Sequence, residues 1–270
     1  MWDAGQYLRF GGERARPFFD LVAQIGATDP GHVVDLGCGP GNLTVALAQR
    51  WPDATVTGLD SSPAMIDAAR ASALQNPAGH NAAGPALQNL EFAIGDARDW
   101  RPERPVDVIV CNAVLQWVPG HDKLLPRWAE HLAPGGWLAF QLPGNFGQPS
   151  HAIVREMAAS PRWRDLLAGA ELNRQAGDPA DYVALLARPG FTVDAWETSY
   201  LHVLHGENPV LEWTKGTTLR PVLAALGAEQ AAAFLAEYGE RVRDAYHPQP
   251  FGTLFPFRRV FAVVRRTGLS

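Results

Sequence analysis

Apolar positions recur along the chain with two different periods. Phe18, Leu21, Val22 and Ile25 follow the three-to-four spacing of a helix over residues 14–25. Pro30-Gly31 then breaks the chain, and residues 32–36 form the short apolar run of a buried strand. A glycine-rich turn leads into a helical stretch over 42–51, and a second strand, 55–59, ends at Asp60. Ser61 or Ser62 suits the cap of the next helix, with Pro63 in its first turn and Met65, Ile66 and Ala69 on its inner face. Strands are predicted again at 90–94, 106–111 and 137–142, with a helix at 121–132 between the last two. Strand–helix alternation of this kind implies crossover units and a parallel sheet covered on both faces.

The pattern changes after residue 142. Pro143-Gly144-Asn145 and Gln148-Pro149 mark a loop, and residues 151–186 hold short helical stretches broken at Pro161 and Pro179. A strand is expected at 192–201, helices at 209–226 and 228–242, and a last strand at 259–264. Residues 72–88 lack periodicity and read as a surface loop. The expected architecture is α/β: a doubly wound, mostly parallel sheet with helical cap insertions, in one domain spanning 1–270. Its segments are an N-terminal lid (1–13), a ligand-binding core (14–145), a helical cap with a late strand (146–258) and a final strand (259–265).

Composition narrows the function. A formal charge of −5 argues against a general nucleic-acid binder, so any anionic substrate needs cations gathered locally. Cys38 and Cys111 form no metal-like or disulfide-like pair and read as small buried side chains in a reducing compartment. No run reaches the length of a membrane span, and the first residues lack a leader pattern, so a cytoplasmic location is expected.

The most informative segment is Val33-Val34-Asp35-Leu36-Gly37-Cys38-Gly39-Pro40-Gly41. Gly37 and Gly39 let the backbone turn sharply and approach a ligand. A dinucleotide site places its third glycine one residue later and sets a pyrophosphate at the helix end. Here Asp35 stands inside the motif, and a carboxylate is matched to an ammonium rather than to a phosphate. S-adenosylmethionine, with an amino-acid tail and a sulfonium, meets that requirement. Asp60 at the tip of the second strand suits ribose hydroxyls, with Ser61 and Met65 following it. Asp96 and Ala97 after the third strand suit the adenine amino group, and Asn112 closes the fourth. Four such positions at successive strand ends coincide with the place where open α/β sheets bind ligands.

With these motifs the chain resembles the Rossmann-like class I methyltransferases and, among them, the trans-aconitate methyltransferase family. The likeness runs through Trp2-Asp3, Tyr7, residues 13–17, 35–42 and 58–65, then Leu115-Gln116-Trp117 and Pro134-Gly135-Gly136. It continues in residues 141–145, Trp213-Thr214, Leu219-Arg220-Pro221 and residues 257–261. The 72–88 loop is longer than the family needs. The resemblance implies methyl transfer to one carboxylate of trans-aconitate, a small tricarboxylate, giving a monomethyl ester and S-adenosylhomocysteine.

An ionised carboxylate needs no general base, because its pKa of about 4 leaves it deprotonated at neutral pH. No catalytic acid–base set, no metal, no nucleic acid and no membrane partner is therefore expected; the closest histidines, His202 and His205, lack a completing carboxylate. Arginine forks suit the acceptor, and the candidates are Arg14, Arg220 and Arg259. Tyr7 and Trp117 can wall the methyl and sulfonium, and residues 2–10 read as a lid over the cofactor. Two other readings stay open: a methyltransferase for another small or carrier-bound carboxylate, and a non-catalytic S-adenosylmethionine-binding module.

Overall fold

The structure, a computed structural model, describes residues 11–75, 87–172 and 176–268. In chain order the elements are α1 (Gly11–Val22), β1 (His32–Leu36), α2 (Asn42–Arg50), β2 (Thr55–Asp60), α3 (Pro63–Gln75), β3 (Leu90–Ile94) and β4 (Val106–Asn112). A 3-10 turn at Leu115–Trp117 precedes α4 (His121–Glu130), β5 (Leu132–Pro143), α5 (Pro149–Ala159), α6 (Pro179–Leu186) and β6 (Phe191–Leu204). The chain continues with α7 (Pro209–Lys215), α8 (Arg220–Ala225), α9 (Ala228–Ala245), β7 (Pro248–Gln249) and β8 (Gly252–Arg266).

These elements group into two compact units. Among the described residues, one holds those within 15–142, 177–197 and 260–268; the other holds those within 11–14, 143–176 and 198–259. The strands run in the order β3-β2-β1-β4-β5-β8-β6, and β1 to β4 lie wholly in the first, the sheet unit. The β3–β2, β2–β1, β1–β4 and β4–β5 pairs are all parallel, as the alternation of strand and helix required. Val33, Val34 and Leu36 of β1 and Val108, Ile109 and Val110 of β4 are almost wholly buried, which accounts for their unbroken apolar runs. The side-chain amide of Asn89 donates to the carbonyls of Ala48, Trp51 and Ala54, pinning the end of α2 to the start of β3.

The second, the helical unit, packs α9 against α5 and α7. Trp163, Trp213, Phe234, Tyr238, Phe255 and Phe257 dominate its core. Tyr238 donates from its hydroxyl to the Ser150 carbonyl at 3.0 Å, and the Tyr246 hydroxyl accepts the Ser150 N–H at 3.2 Å, so the start of α5 is tied down twice.

Several boundaries differ from the sequence expectation for identifiable reasons. The helix expected over 209–226 is two, because Gly216-Thr217-Thr218 are weak helix formers and Pro221 opens a new first turn. The last strand starts at Gly252, not at Arg259; Pro256 reads as a break but is accommodated inside it. The strand expected at 137–142 begins at Leu132, where β4 and β5 pair across a register shift. The expected 72–88 loop begins as helix, since α3 runs through alanines to Gln75; residues 76–86 lie outside the described residues.

Candidate functional site

The tips of β1, β2, β3 and β4 lie side by side in the sheet unit, since these strands are neighbours in the order 3-2-1-4. Leu36 pairs with Leu59 and Asp60 with Ile94, so β1, β2 and β3 end within a residue or so of one another, with Asp60 at the tip of β2 and Asp35 one residue inside β1. The glycine loop leaves β1 and is stapled to β2 at once: Gly37 and Cys38 both donate N–H to the Leu59 carbonyl, at 2.7 and 2.9 Å. Asp60 completes the clamp, accepting from the Gly39 N–H at 3.0 Å on one oxygen and the Ser62 N–H at 2.9 Å on the other. A carboxylate fixed by two backbone donors keeps further lone pairs for hydroxyl donors.

The three glycines of the loop do different work. Each has positive φ, which favours glycine. A Cβ on Gly37 would lie 2.2 Å from Val114, and one on Gly41 2.6 Å from Phe92. Both positions are therefore closed by the protein's own packing. A Cβ on Gly39 would meet nothing within 4 Å. Gly39 is the glycine that holds space open, and Gly37 faces a side chain rather than a cleft.

Asp35 is only 2 % exposed, and Thr44 donates its hydroxyl to it at 2.7 Å. Burial pushes its carboxyl up to about 6, against the hydroxyl's opposing effect and with added push from the charge of Asp60. Both features make a nearby cation favourable. Burial and the same two carboxylates also raise the Cys38 thiol, and burial raises that of Cys111, so both remain protonated and inert.

At the tip of β3, Asp96 is held by Arg98, whose Nε lies 3.0 and 3.1 Å from the two carboxylate oxygens and whose Nη2 lies 2.6 Å from one. These bonds hold the Asp96 carboxyl below its usual range. Ala97 beside it is half-buried. On α3, Met65 is buried, while Ser61 before it is exposed. At the tip of β4, Gln141 donates from Nε2 to Asn112 Oδ1 at 2.5 Å, which turns the Asn112 NH2 group away from Gln141. The next residue, Ala113, has φ 56, the one left-handed non-glycine among the described residues. Its N–H donates to the Gln141 carbonyl at 2.9 Å and its carbonyl accepts from Gln116 Nε2 at 2.6 Å. Backbone strain of this kind concentrates at functional sites. Trp117, on the following turn, is 40 % exposed.

Sequence reasoning named Asp35, Gly37, Gly39, Asp60, Ser61, Met65, Asp96, Ala97, Asn112 and Trp117, and all ten fall in the sheet unit on or just beyond the strand tips. It missed their partners Thr44, Arg98 and Gln141. Only the Asp-x-Arg spacing of Asp96 and Arg98 carried a local signal.

Arg220 and Arg259 belong to the helical unit. Arg220 opens α8, half-buried, with burial drawing its pKa below the usual guanidinium value. Arg259 is buried, its guanidinium 4.7 Å from the centroid of the Phe257 ring. Tyr7 and residues 1–10 of the expected lid lie outside the described residues, as does the Arg14 side chain, while residues 11–13 form the start of α1. His202 stacks on Trp213 with centroids 5.0 Å apart, and no group of side chains suited to a metal occurs among the described residues. No described helix is long and apolar enough to cross a membrane.

Comparison with known proteins agrees with this geometry. Residues 33–136 match the methyltransferase domain family. The chain is 54 % identical over 268 residues to trans-aconitate 2-methyltransferase of Streptomyces avermitilis, covering 98 % of this chain and 97 % of the relative. It is 49 % identical over 268 residues to the protein of that name from Rhodococcus jostii, covering 98 % and 99 %. For the one from Mycobacterium tuberculosis the figure is 45 % over 271 residues, covering 99 % and 98 %. Among solved structures, the YcgJ protein of Bacillus subtilis superposes with a TM-score of 0.59 at 13 % identity, covering 94 % of this chain and 99 % of that one. Phosphoethanolamine N-methyltransferase 2 of Haemonchus contortus, solved with S-adenosyl-L-methionine, superposes with a TM-score of 0.58 at 15 % identity, covering 98 % and 56 %. At these identities the structural likeness bears on the fold alone.

Proposed function

The chain belongs to the trans-aconitate 2-methyltransferase family, and from that premise we infer that it moves the methyl group of S-adenosylmethionine to a carboxylate of trans-aconitate. The products are a monomethyl ester and S-adenosylhomocysteine. The observation that carries the reading is near-complete coverage at 54 % identity, in a chain whose neighbouring strands β1 and β2 carry Asp35 and Asp60 near an open glycine.

The residues present fit the donor. The space over Gly39 admits a ligand where any side chain would intrude. Asp60, already fixed by the Gly39 and Ser62 N–H groups, has acceptor capacity left for ribose hydroxyls. Asp35 and Asp60 set a negative potential that suits an ammonium and a sulfonium. Asp96 and Asn112 serve the remaining polar edges. When bound, the donor supplies a methyl already activated by its sulfonium. Trp117 offers an aromatic face for that charge, an attraction of about 0.5–2 kcal/mol.

The chain's own contribution is positioning. An acceptor carboxylate is ionised at neutral pH, so no residue has to remove a proton. What remains is to hold one oxygen about 3 Å from the methyl, in line with the departing sulfur. We assign Arg220 and Arg259, with Arg14, to the acceptor, because guanidinium forks pair with carboxylates, and Tyr7, with Trp117, to the wall around the methyl and sulfonium. The two unpaired buried cysteines accord with a reducing, cytoplasmic setting.

Purified protein incubated with methyl-labelled S-adenosylmethionine and a panel of di- and tricarboxylates tests this. Base-labile label on trans-aconitate is the expected result. Label confined to another acid would replace the substrate, and binding without turnover would replace the activity.

A further inference from the structure

The turn that follows β5 carries a side chain that the rest of the fold leaves unsatisfied. Asn145 is 1 % exposed, yet neither its Nδ2 nor its Oδ1 has a hydrogen-bond partner. An amide so placed is strongly unfavourable, since it has left water and gained nothing in return. Such groups are rare in folded proteins and call for a specific explanation, a functional role among them. The surroundings, all within the helical unit, include the two arginines assigned to the acceptor, reached through the following contacts. Gly144 is gripped by Arg258 in two ways: its N–H donates to the Arg258 carbonyl at 2.9 Å, and its own carbonyl accepts from the Arg258 guanidinium at 3.2 Å. This pairing brings the turn to the stretch of β8 that carries the buried Arg259. A bond between His151 Nε2 and Thr218 Oγ1, 3.0 Å long, ties the start of α5 to the segment leading into Arg220.

We propose that Asn145 is a substrate-binding residue whose Nδ2 donates to a carboxylate of the acceptor, alongside the guanidiniums of Arg220 and Arg259. The proposal rests on the reading of the acceptor as a carboxylate, given above. It explains why both polar atoms of a fully buried amide are left without a protein partner, while the neighbouring Ser150 backbone is paired by Tyr238 and Tyr246. A neutral amide adds direction to the site without adding charge, and it complements arginines that supply charge.

The test is steady-state kinetics on Asn145→Leu and Asn145→Asp, varying trans-aconitate and S-adenosylmethionine separately, with Tm measured alongside. The first variant keeps the volume and removes the polar atoms; the second keeps the shape and places a like charge against the substrate. Each should raise the KM for trans-aconitate by about tenfold or more, in line with losing a hydrogen bond to a charged group. The KM for S-adenosylmethionine should stay put, and Asn145→Leu should melt no lower than the parent. An unchanged acceptor KM would overturn the proposal, and so would equal rises in both KM values with a falling Tm, which mark a structural amide. If the leucine variant misfolds, the aspartate variant carries the same comparison. Absence of turnover by the parent protein would instead strike the acceptor reading itself.

Discussion

Replacing Asp35 by Asn should make the protein more stable and a poorer binder of the methyl donor. In the ligand-free protein this carboxyl sits at about 6, against an ordinary 3.8, because it is buried. The sign follows from proton counting. Between those two values the folded chain holds a proton that the unfolded chain has released, so acid favours folding, and the advantage is lost as pH rises through about 6. Above it, Asp35 is ionised in both states and the buried charge stands as a cost of ~3 kcal/mol, taking 1.36 kcal/mol per pH unit. Asn has the same shape and no charge, and Thr44 remains its neighbour. Asp35→Asn should therefore gain up to ~3 kcal/mol at pH 8, a rise in Tm on the order of 5–10 °C for a chain of this size. The gap should narrow by about half at pH 5, to about a fifth at pH 4, and close below the unfolded value of 3.8. Calorimetry with S-adenosylmethionine should show weaker binding at pH 8, since a carboxylate no longer faces the cation. Equal Tm values at pH 8, or a gap that ignores pH, would refute the reasoning.

Three further outcomes follow from the same geometry. Gly37→Ala should lose far more stability than Gly39→Ala, because only the former drives a Cβ to 2.2 Å from Val114; Gly39→Ala should fold with a cost of about 1–2 kcal/mol for its left-handed backbone and lose donor affinity instead. Melting curves and titration calorimetry on the pair separate packing from ligand clearance. Gln141→Met should free the Asn112 amide to turn, weakening S-adenosylhomocysteine about 2–10-fold with the acceptor KM unmoved. Arg220→Met and Arg259→Met should each raise the trans-aconitate KM by about tenfold or more while sparing donor binding, as measured by initial rates; unchanged kinetics in both would remove them from the site.

Local signals made the strand tips that carry the proposed donor site legible. The glycine loop and Asp60 stand next to short apolar runs whose strand character is plain, and parallel pairing then aligns their ends without further information. What chain order hides is who faces whom. Gly37 is a packing glycine only because Val114 arrives from the turn after β4, and Asn112 is oriented by Gln141 of the neighbouring strand. Asn145 could be read as part of a turn, but its want of partners is a property of the packed helical unit. Propensity misled at Pro256, where a strand continues through a residue that usually ends one. The arginines were found by chemistry, not by position, and their burial could not have been inferred from the sequence around them.

The most direct measurement is the mass spectrum of a reaction holding purified protein, S-adenosylmethionine and trans-aconitate. A monomethyl ester of trans-aconitate, formed in step with S-adenosylhomocysteine, is the predicted result. Both reactants recovered intact, from protein that melts cooperatively, would contradict it.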